Sequence, residues 1–182
     1  SAKDTPSDLR YIVCNADEGD PGAYSDRYLM EQQPFMVLFG MIAAGYAIGS
    51  SWGILYIRAE YPDSAVIMQE AIEKMLELGL AGENILGTGF DYHFKIIRAQ
   101  GSYICGEETA LLSSIEGQRP EVRIRPPYPA QSGLFGKPTV VNNVETLAAL
   151  YYMFKTSGKE YAKLGTEKSK GTKLISLDGF FY

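Results

Sequence analysis

Apolar and polar positions fall into blocks along this chain, and the blocks switch period. Leu9 to Cys14 (LRYIVC) is a short apolar run entering a loop, which reads as a strand of a sheet covered on both faces. Trp52 to Arg58 (WGILYIR) predicts a second strand and Phe94 to Arg98 a third. Helical blocks alternate with them. Pro34 to Gly49 predicts a helix with Pro34 near its first turn. Its apolar core, Phe35 to Ile48, holds Gly40 and Gly45 and is shorter than the roughly 18–20 residues of a bilayer span, so it reads as a buried helix. Ser64 to Leu78 is amphipathic, with Met68, Ile72, Met75 and Leu76 on the apolar side and Gly79 as a stop. Glu107 to Ile115 predicts a helix closed by Gly117. Asn142 opens another, running to about Phe154, with Glu145 completing a capping-box-like pattern. Between them, residues 117–138 form a Pro- and Arg-rich connection. Strand alternating with helix implies a layered α/β fold with a mainly parallel sheet. There is no internal repeat and no low-complexity segment.

Length and composition narrow the classes. The 182 residues suit one domain with a real core. Apolar residues make up 46% and charged residues 21%, which excludes collagen, coiled coil and a disordered tail. The net charge of −5 is spread along the chain and argues against a dedicated nucleic-acid binder. His93 is the single histidine, so a His-rich metal site is excluded, and in its aromatic stretch it reads as structural. Cys14 and Cys105 form no CxxC pair and cannot hold an iron–sulfur cluster unaided. They read as buried thiols in a reducing cytosol. Ser1 to Asp8 is polar and lacks the apolar core of a signal peptide. Ile175 to Leu177 looks like a strand beginning, so the chain is expected to be a piece of a longer protein.

Three segments could carry chemistry. Asn15-Ala-Asp-Glu-Gly-Asp20 follows a strand, where open α/β sheets place ligands. Its Asp and Asn side chains could accept bonds from sugar hydroxyls, and Gly19 would let backbone approach a flat ring. An ordinary acidic turn explains the same residues, and an EF-hand spacing fails. Gly101 to Thr109 is a loop leading into a helix, with backbone N–H groups free for a phosphate. Acidic preference for a helix N-terminus explains Glu107 and Glu108 equally well. They point about 100° apart on a helix, which makes them a poor glycosidase pair. Arg119, Arg123, Arg125 and Lys137 could grip a pyrophosphate or form a solvated basic surface. Gly133 to Lys137 fails the P-loop spacing, and Gly87-Thr-Gly89 lacks the third glycine of a dinucleotide fingerprint.

Five blocks together resemble the flavin-carrying NADH dehydrogenase subunit of respiratory complex I and the related diaphorase subunits of NAD(P)-reducing hydrogenases and formate dehydrogenases. They are Cys14-Asn-Ala-Asp-Glu-Gly-Asp-Pro-Gly-Ala-Tyr-Ser-Asp-Arg27, Tyr103-Ile-Cys-Gly-Glu-Glu-Thr-Ala-Leu111, Pro126-Pro-Tyr-Pro-Ala-Gln-Ser-Gly133, Gly136-Lys-Pro-Thr139 and Asn142-Asn-Val-Glu-Thr-Leu147. They come in the family's order and cover nearly the whole chain. The resemblance implies a Rossmann-like FMN-binding domain. It places Asn15, Asp17, Glu18 and Gly19 in the first flavin loop, Tyr103, Gly106, Glu107 and Glu108 in the second, and Val141, Asn142, Asn143 and Thr146 in the third. It places Asp20, Glu108, Arg125 and Tyr128 against NADH. The family often has Glu at the position of Asp20, and Lys or Phe at those of Arg125 and Tyr128.

The same resemblance implies no catalytic acid or base, since the flavin takes the hydride and the protein binds and orients. It implies electrons passed singly to iron–sulfur partner subunits and ultimately to quinone, in the cytoplasmic, peripheral arm of a membrane-associated complex or in a soluble one. The family's upstream Gly-Arg-Gly-Gly loop and downstream cysteine cluster are not in this chain. A 4Fe-4S cluster is therefore expected in the full-length subunit but no metal ligand here. Residues 1–170 are expected to form the FMN/NADH domain and 171–182 the first strand of a following β-grasp-like domain. A flavin-free scaffold in an electron-transfer complex is the reading from another class.

Overall fold

A computed structural model describes residues 1–99, 102–177 and 179. Four strands form one all-parallel sheet: β1 (Tyr11–Ala16), β2 (Trp52–Arg58), β3 (His93–Ala99) and β4 (Thr139–Asn143), in the order β3-β2-β1-β4. The helices are α1 (Ser25–Gln32), α2 (Pro34–Ile48), α3 (Pro62–Glu77), α4 (Glu108–Ile115), α5 (Pro129–Ser132), α6 (Val144–Lys155) and α7 (Gly158–Tyr161).

The period of two in the strands sorts their side chains between two cores. Ile12, Cys14 and Ala16 of β1, with Leu55 and Ile57 of β2, pack under α1, α2, α3 and α6. Val13, Ile54 and Tyr56 face the other way, onto Cys105, Leu134 and the Leu111–Leu112 pair of α4. Both faces are covered, as the continuous apolar runs require. Each fully buried Leu or Ile contributes about 1.5–3 kcal/mol of transfer free energy.

Helix α2 differs from the expected buried helix. Val37, Leu38, Gly40, Met41 and Gly45 are buried, but Phe35 and Tyr46 are exposed, so one face alone meets the core. A Cβ on Gly40 would lie 2.0 Å from the Leu147 carbonyl oxygen, so glycine is what lets α2 and α6 touch backbone to backbone. The left-handed Gly49 (φ 72°) ends α2, and Gly79 (φ 67°) follows α3 as expected. On α3, Leu76 is exposed, while Ala65 and Ala71 join the buried face.

Besides the short helices α5 and α7, two elements beside the site were not legible in the pattern. Strand β4 is only five residues, and its last two, Asn142 and Asn143, read as a helix start. The cap of α6 is Asn143, one residue later than expected: its Oδ1 accepts from the Glu145 N–H at 2.8 Å. Glu145 does not close a capping box; its carboxylate takes the Leu174 N–H (2.8 Å) and Lys173 (3.4 Å). Helix α1 starts at a Tyr24 that gives no side-chain cap. Its first N–H groups are bonded instead by Glu18, from the preceding loop. His93 opens β3, its ring 5.1 Å from that of Trp52, a structural place. Residues 172–177 run without regular structure, and the rest of the expected final strand falls on 178 and 180–182, outside the described residues.

Candidate cofactor site

The strand order fixes where the site lies. The chain builds β1, β2 and β3 in one direction and then returns to place β4 on the other side of β1. At that reversal the loops leaving β1 and β4 diverge and leave a crevice at the carboxyl ends of the strands. The structure has a cleft of about 660 Å³ there, lined by both loops and by the Tyr103–Gly106 turn that precedes α4.

Of the residues expected at the site, Asn15, Asp17, Glu18, Gly19, Asp20, Tyr103, Gly106, Glu107 and Asn143 line this one cleft. Gly101 lies outside the described residues. Glu108 and Arg125 do not line the cleft; Arg125 is tied to it through Glu107. The Arg125 guanidinium forks between the two acids, Nη2 to Glu107 Oε1 at 2.7 Å and Nη1 to Glu108 Oε1 at 2.8 Å. Val141, Asn142, Thr146 and Tyr128 do not line it. Val141 packs on the second core, Thr146 is exposed on the first turn of α6, and Tyr128 caps α5. Asp26, Glu145, Ser25, Ala23 and Ile104 line the cleft without having been expected there. All five lie in blocks already singled out, but nothing in the sequence says that α1 turns back over the β1 loop.

Bonds across the cleft tie its walls. Asn15 Nδ2 donates to the Gly106 carbonyl at 3.0 Å, joining the first loop to the second. The Tyr103 hydroxyl donates to Asp20 at 3.3 Å, and its ring lies over Gly19, where a Cβ would sit 3.1 Å from Tyr103 Cδ2. Asp26 accepts from the Asn143 amide at 2.7 Å, joining α1 to the end of β4.

Several acids in the wall already serve the fold. Glu18 accepts from Ser25 Oγ, Tyr61 Oη and the N–H groups of Asp26 and Arg27, at 3.0 to 3.3 Å. Arg58 donates to the Glu18 carbonyl from below. Glu107 Oε2 caps α4 through the Thr109 and Ala110 N–H groups, both 2.9 Å. Burial alone would raise the Glu107 pKa. The Thr109 and Ala110 bonds and the Arg125 charge outweigh it and hold the carboxyl below its usual range.

Two acids stand apart. Asp17 is largely buried, and its Oδ2 has no hydrogen-bond partner among the described residues. Burial raises its pKa, opposed by the Arg58 charge. Asp26 is 6% exposed, and burial, reinforced by the Glu18 charge, pushes it up to about 7. A buried acceptor without a donor is costly, about 1–3 kcal/mol, so Asp17 Oδ2 calls for a hydroxyl or N–H from a ligand. A cleft of this volume, ringed by acceptors and floored by glycine under an aromatic ring, suits a flat, polyol-bearing cofactor. No group of acidic, His or Cys side chains among the described residues could hold a metal.

An open parallel sheet with this cleft at its reversal point defines a domain that binds a nucleotide-type cofactor. The family model described as the Nuo51 FMN-binding domain matches residues 1–152, and the chain belongs to that family. It is 47% identical over 170 residues to an NADH-quinone oxidoreductase subunit of Aquifex aeolicus, covering 93% of this chain and 40% of that one. It is 47% identical over 173 residues to the NADP-reducing hydrogenase subunit HndC of Solidesulfovibrio fructosivorans, covering 95% and 35%. The crystal structure of an NAD+-reducing [NiFe]-hydrogenase in its H2-reduced state superposes with a TM-score of 0.85 at 38% identity, over 93% of this chain and 28% of that one. The chain thus spans about 40% or less of the length of these relatives.

Proposed function

We propose that this chain is the FMN-holding part of a flavoprotein subunit that takes hydride from NADH and passes electrons singly to iron–sulfur partners. The observation that carries it is the partnerless Asp17 Oδ2 in a cleft at the sheet's reversal point. FMN bound there would supply the step from two-electron to one-electron transfer. The protein's part is to bind and orient. Asp17 and Asn15 accept from and donate to the flavin's polar edge, Gly19 lets a ring lie close, and Asn143 meets it from β4. Val141, Asn142 and Thr146, beside that wall, complete the flavin side in this reading. Asp20, Glu108, Arg125 and Tyr128 form the nucleotide side, with the Arg125 guanidinium offered to a pyrophosphate.

The partners in this reading are iron–sulfur subunits of a multi-subunit complex, with quinone as the final acceptor and a 4Fe-4S cluster in the part of the subunit outside this chain. In this reading the chain belongs to a cytoplasmic peripheral arm or to a soluble complex. No helix among the described residues is long and apolar enough to cross a membrane. Residues 171–182 would lead into the next domain. A diaphorase role in a hydrogenase is the second reading, favoured by the equal identity to a complex I subunit and a hydrogenase subunit. The orphaned Asp17 oxygen argues against a flavin-free scaffold. The full-length protein, reconstituted with FMN and desalted, should retain about one flavin per chain, and Asp17→Ala should weaken binding by about ten-fold or more. A wild-type protein that keeps no yellow chromophore refutes the reading.

A further inference from the structure

Asp26 has no role in the reading above, yet it is the most buried acid in the cleft wall. Its surroundings are specific. The backbone N–H of Asp26 bonds to Glu18 Oε1 (3.1 Å), which fixes the first turn of α1. Asp26 Oδ2 accepts from Asn143 Nδ2 (2.7 Å), while Asn143 Oδ1 accepts the Glu145 N–H (2.8 Å). The Asn143 amide is therefore gripped at both ends, and rotating it would break both bonds. Nδ2 carries a second hydrogen, which has no acceptor among the described residues, and Asn143 lines the cleft.

We propose that Asp26 is a positioning residue for the cofactor: its carboxylate, from inside the wall, holds the Asn143 amide in the orientation a bound flavin meets. This rests on the flavin reading above and adds to it a residue that does not itself touch the ligand. An ionised acceptor makes a bond roughly twice as strong as a neutral one, so proton loss from Asp26 tightens the grip and proton gain loosens it. The charged and titratable groups facing it are Glu18 from the β1 loop, Cys14 of β1, Glu145 of α6, and Lys173, which is paired to Glu145. No cation pairs with Asp26 directly among the described residues. Burial and the Glu18 charge bring its pKa to about 7, so both forms are populated near neutrality.

The test is FMN affinity of the full-length apoprotein, by flavin fluorescence, at pH 6 and pH 8. If the ionised form is the competent one, wild-type affinity should rise between these two values by up to about ten-fold. The FMN phosphate titrates alike in every variant, so the comparison with Asp26→Asn isolates Asp26. That variant should bind at the weaker level and lose the extra pH dependence. Asn143→Ala leaves Asp26 in place and should lose it too, and adding Asp26→Asn to Asn143→Ala should then change affinity less than two-fold. The proposal is overturned if Asp26→Asn keeps the wild-type pH profile, or if the two substitutions weaken binding independently. Wild-type protein that binds no FMN at either pH overturns the flavin reading and this inference with it. Should Asp26→Asn not fold, the pH profile of Asn143→Ala alone decides.

Discussion

Replacing Asp26 with Asn should stabilise the fold progressively as pH rises. In the unfolded chain Asp26 ionises near the ordinary value of 3.8, whereas burial beside Glu18 holds it protonated in the fold up to about 7. The unfolded state therefore binds fewer protons between those values, and stability falls as pH rises through them. The cost is about 1.4 kcal/mol per pH unit, reaching about 4 kcal/mol by pH 8. At pH 5 about 1.5–2 kcal/mol of it is already lost, leaving about 2–3 kcal/mol between pH 5 and pH 8. Asn keeps the shape and an oxygen for the Asn143 amide but never ionises. The melting-temperature difference, variant minus wild type, should then grow by about 5–10 °C from pH 5 to pH 8 for a domain of this size. Thermal unfolding of the apo full-length protein at both pH values measures it. A difference that stays flat, or shrinks with pH, refutes the account of Asp26 as a buried carboxyl without a compensating cation.

Gly40→Ala places a methyl group 2.0 Å from the Leu147 carbonyl oxygen. Forced separation of α2 from α6 should cost about 1–3 kcal/mol even after the ~1 kcal/mol gain in helix propensity, read as a lower melting temperature. Glu108→Gln removes one of the two carboxylates on Arg125 and, in the reading proposed above, one charge that would repel an extra ribose phosphate. The ratio of kcat/KM for NADPH to that for NADH, with an artificial acceptor, should rise by about five- to ten-fold, the low end because both side chains are about a third exposed. An unchanged ratio places nucleotide choice elsewhere.

Three of the four strands were legible as mainly apolar runs of ordinary length, and the long helices α2 and α3 carry their own punctuation at Pro34, Gly49 and Gly79. What was not legible depends on contacts distant in sequence. Helix α1 lacks a local cap and is held by Glu18, so a pattern read along the chain sees only an acidic loop running on. Strand β4 becomes a strand by pairing with β1, Tyr11 to Thr139 and Asn15 to Asn143; alone, two asparagines after a threonine and two valines look like a helix start. The site shows the same division. Asn15 through Asp20 were readable because they sit at the carboxyl end of β1, although Asn15 and Ala16, expected in the loop, prove to be its last two residues. Asp26 was not, since its place in the wall depends on α1 folding back until its carboxyl reaches Asn143, 117 residues away.

The two readings of the acidic loop, structural turn and ligand cradle, turn out to describe different atoms of the same residues. Glu18 caps α1, Glu107 caps α4 and meets Arg125, Glu145 fastens residues 173 and 174, and Asp26 holds Asn143. Each carboxylate directs its bonds to a loop or helix end that forms the cleft. The wall is therefore acidic in sequence, most of its carboxylates are bonded into the fold, and the fully buried wall oxygen left without a partner among the described residues is Asp17 Oδ2. A cleft built this way selects its ligand through very few groups, while the rest preserve its shape. That is consistent with equal identity to relatives named for quinone reduction and for NADP reduction. In the reading proposed above the shared scaffold leaves the nucleotide open, and a pair such as Glu108 and Arg125 would set it, because their charges are set against each other and only one need change to tip the balance.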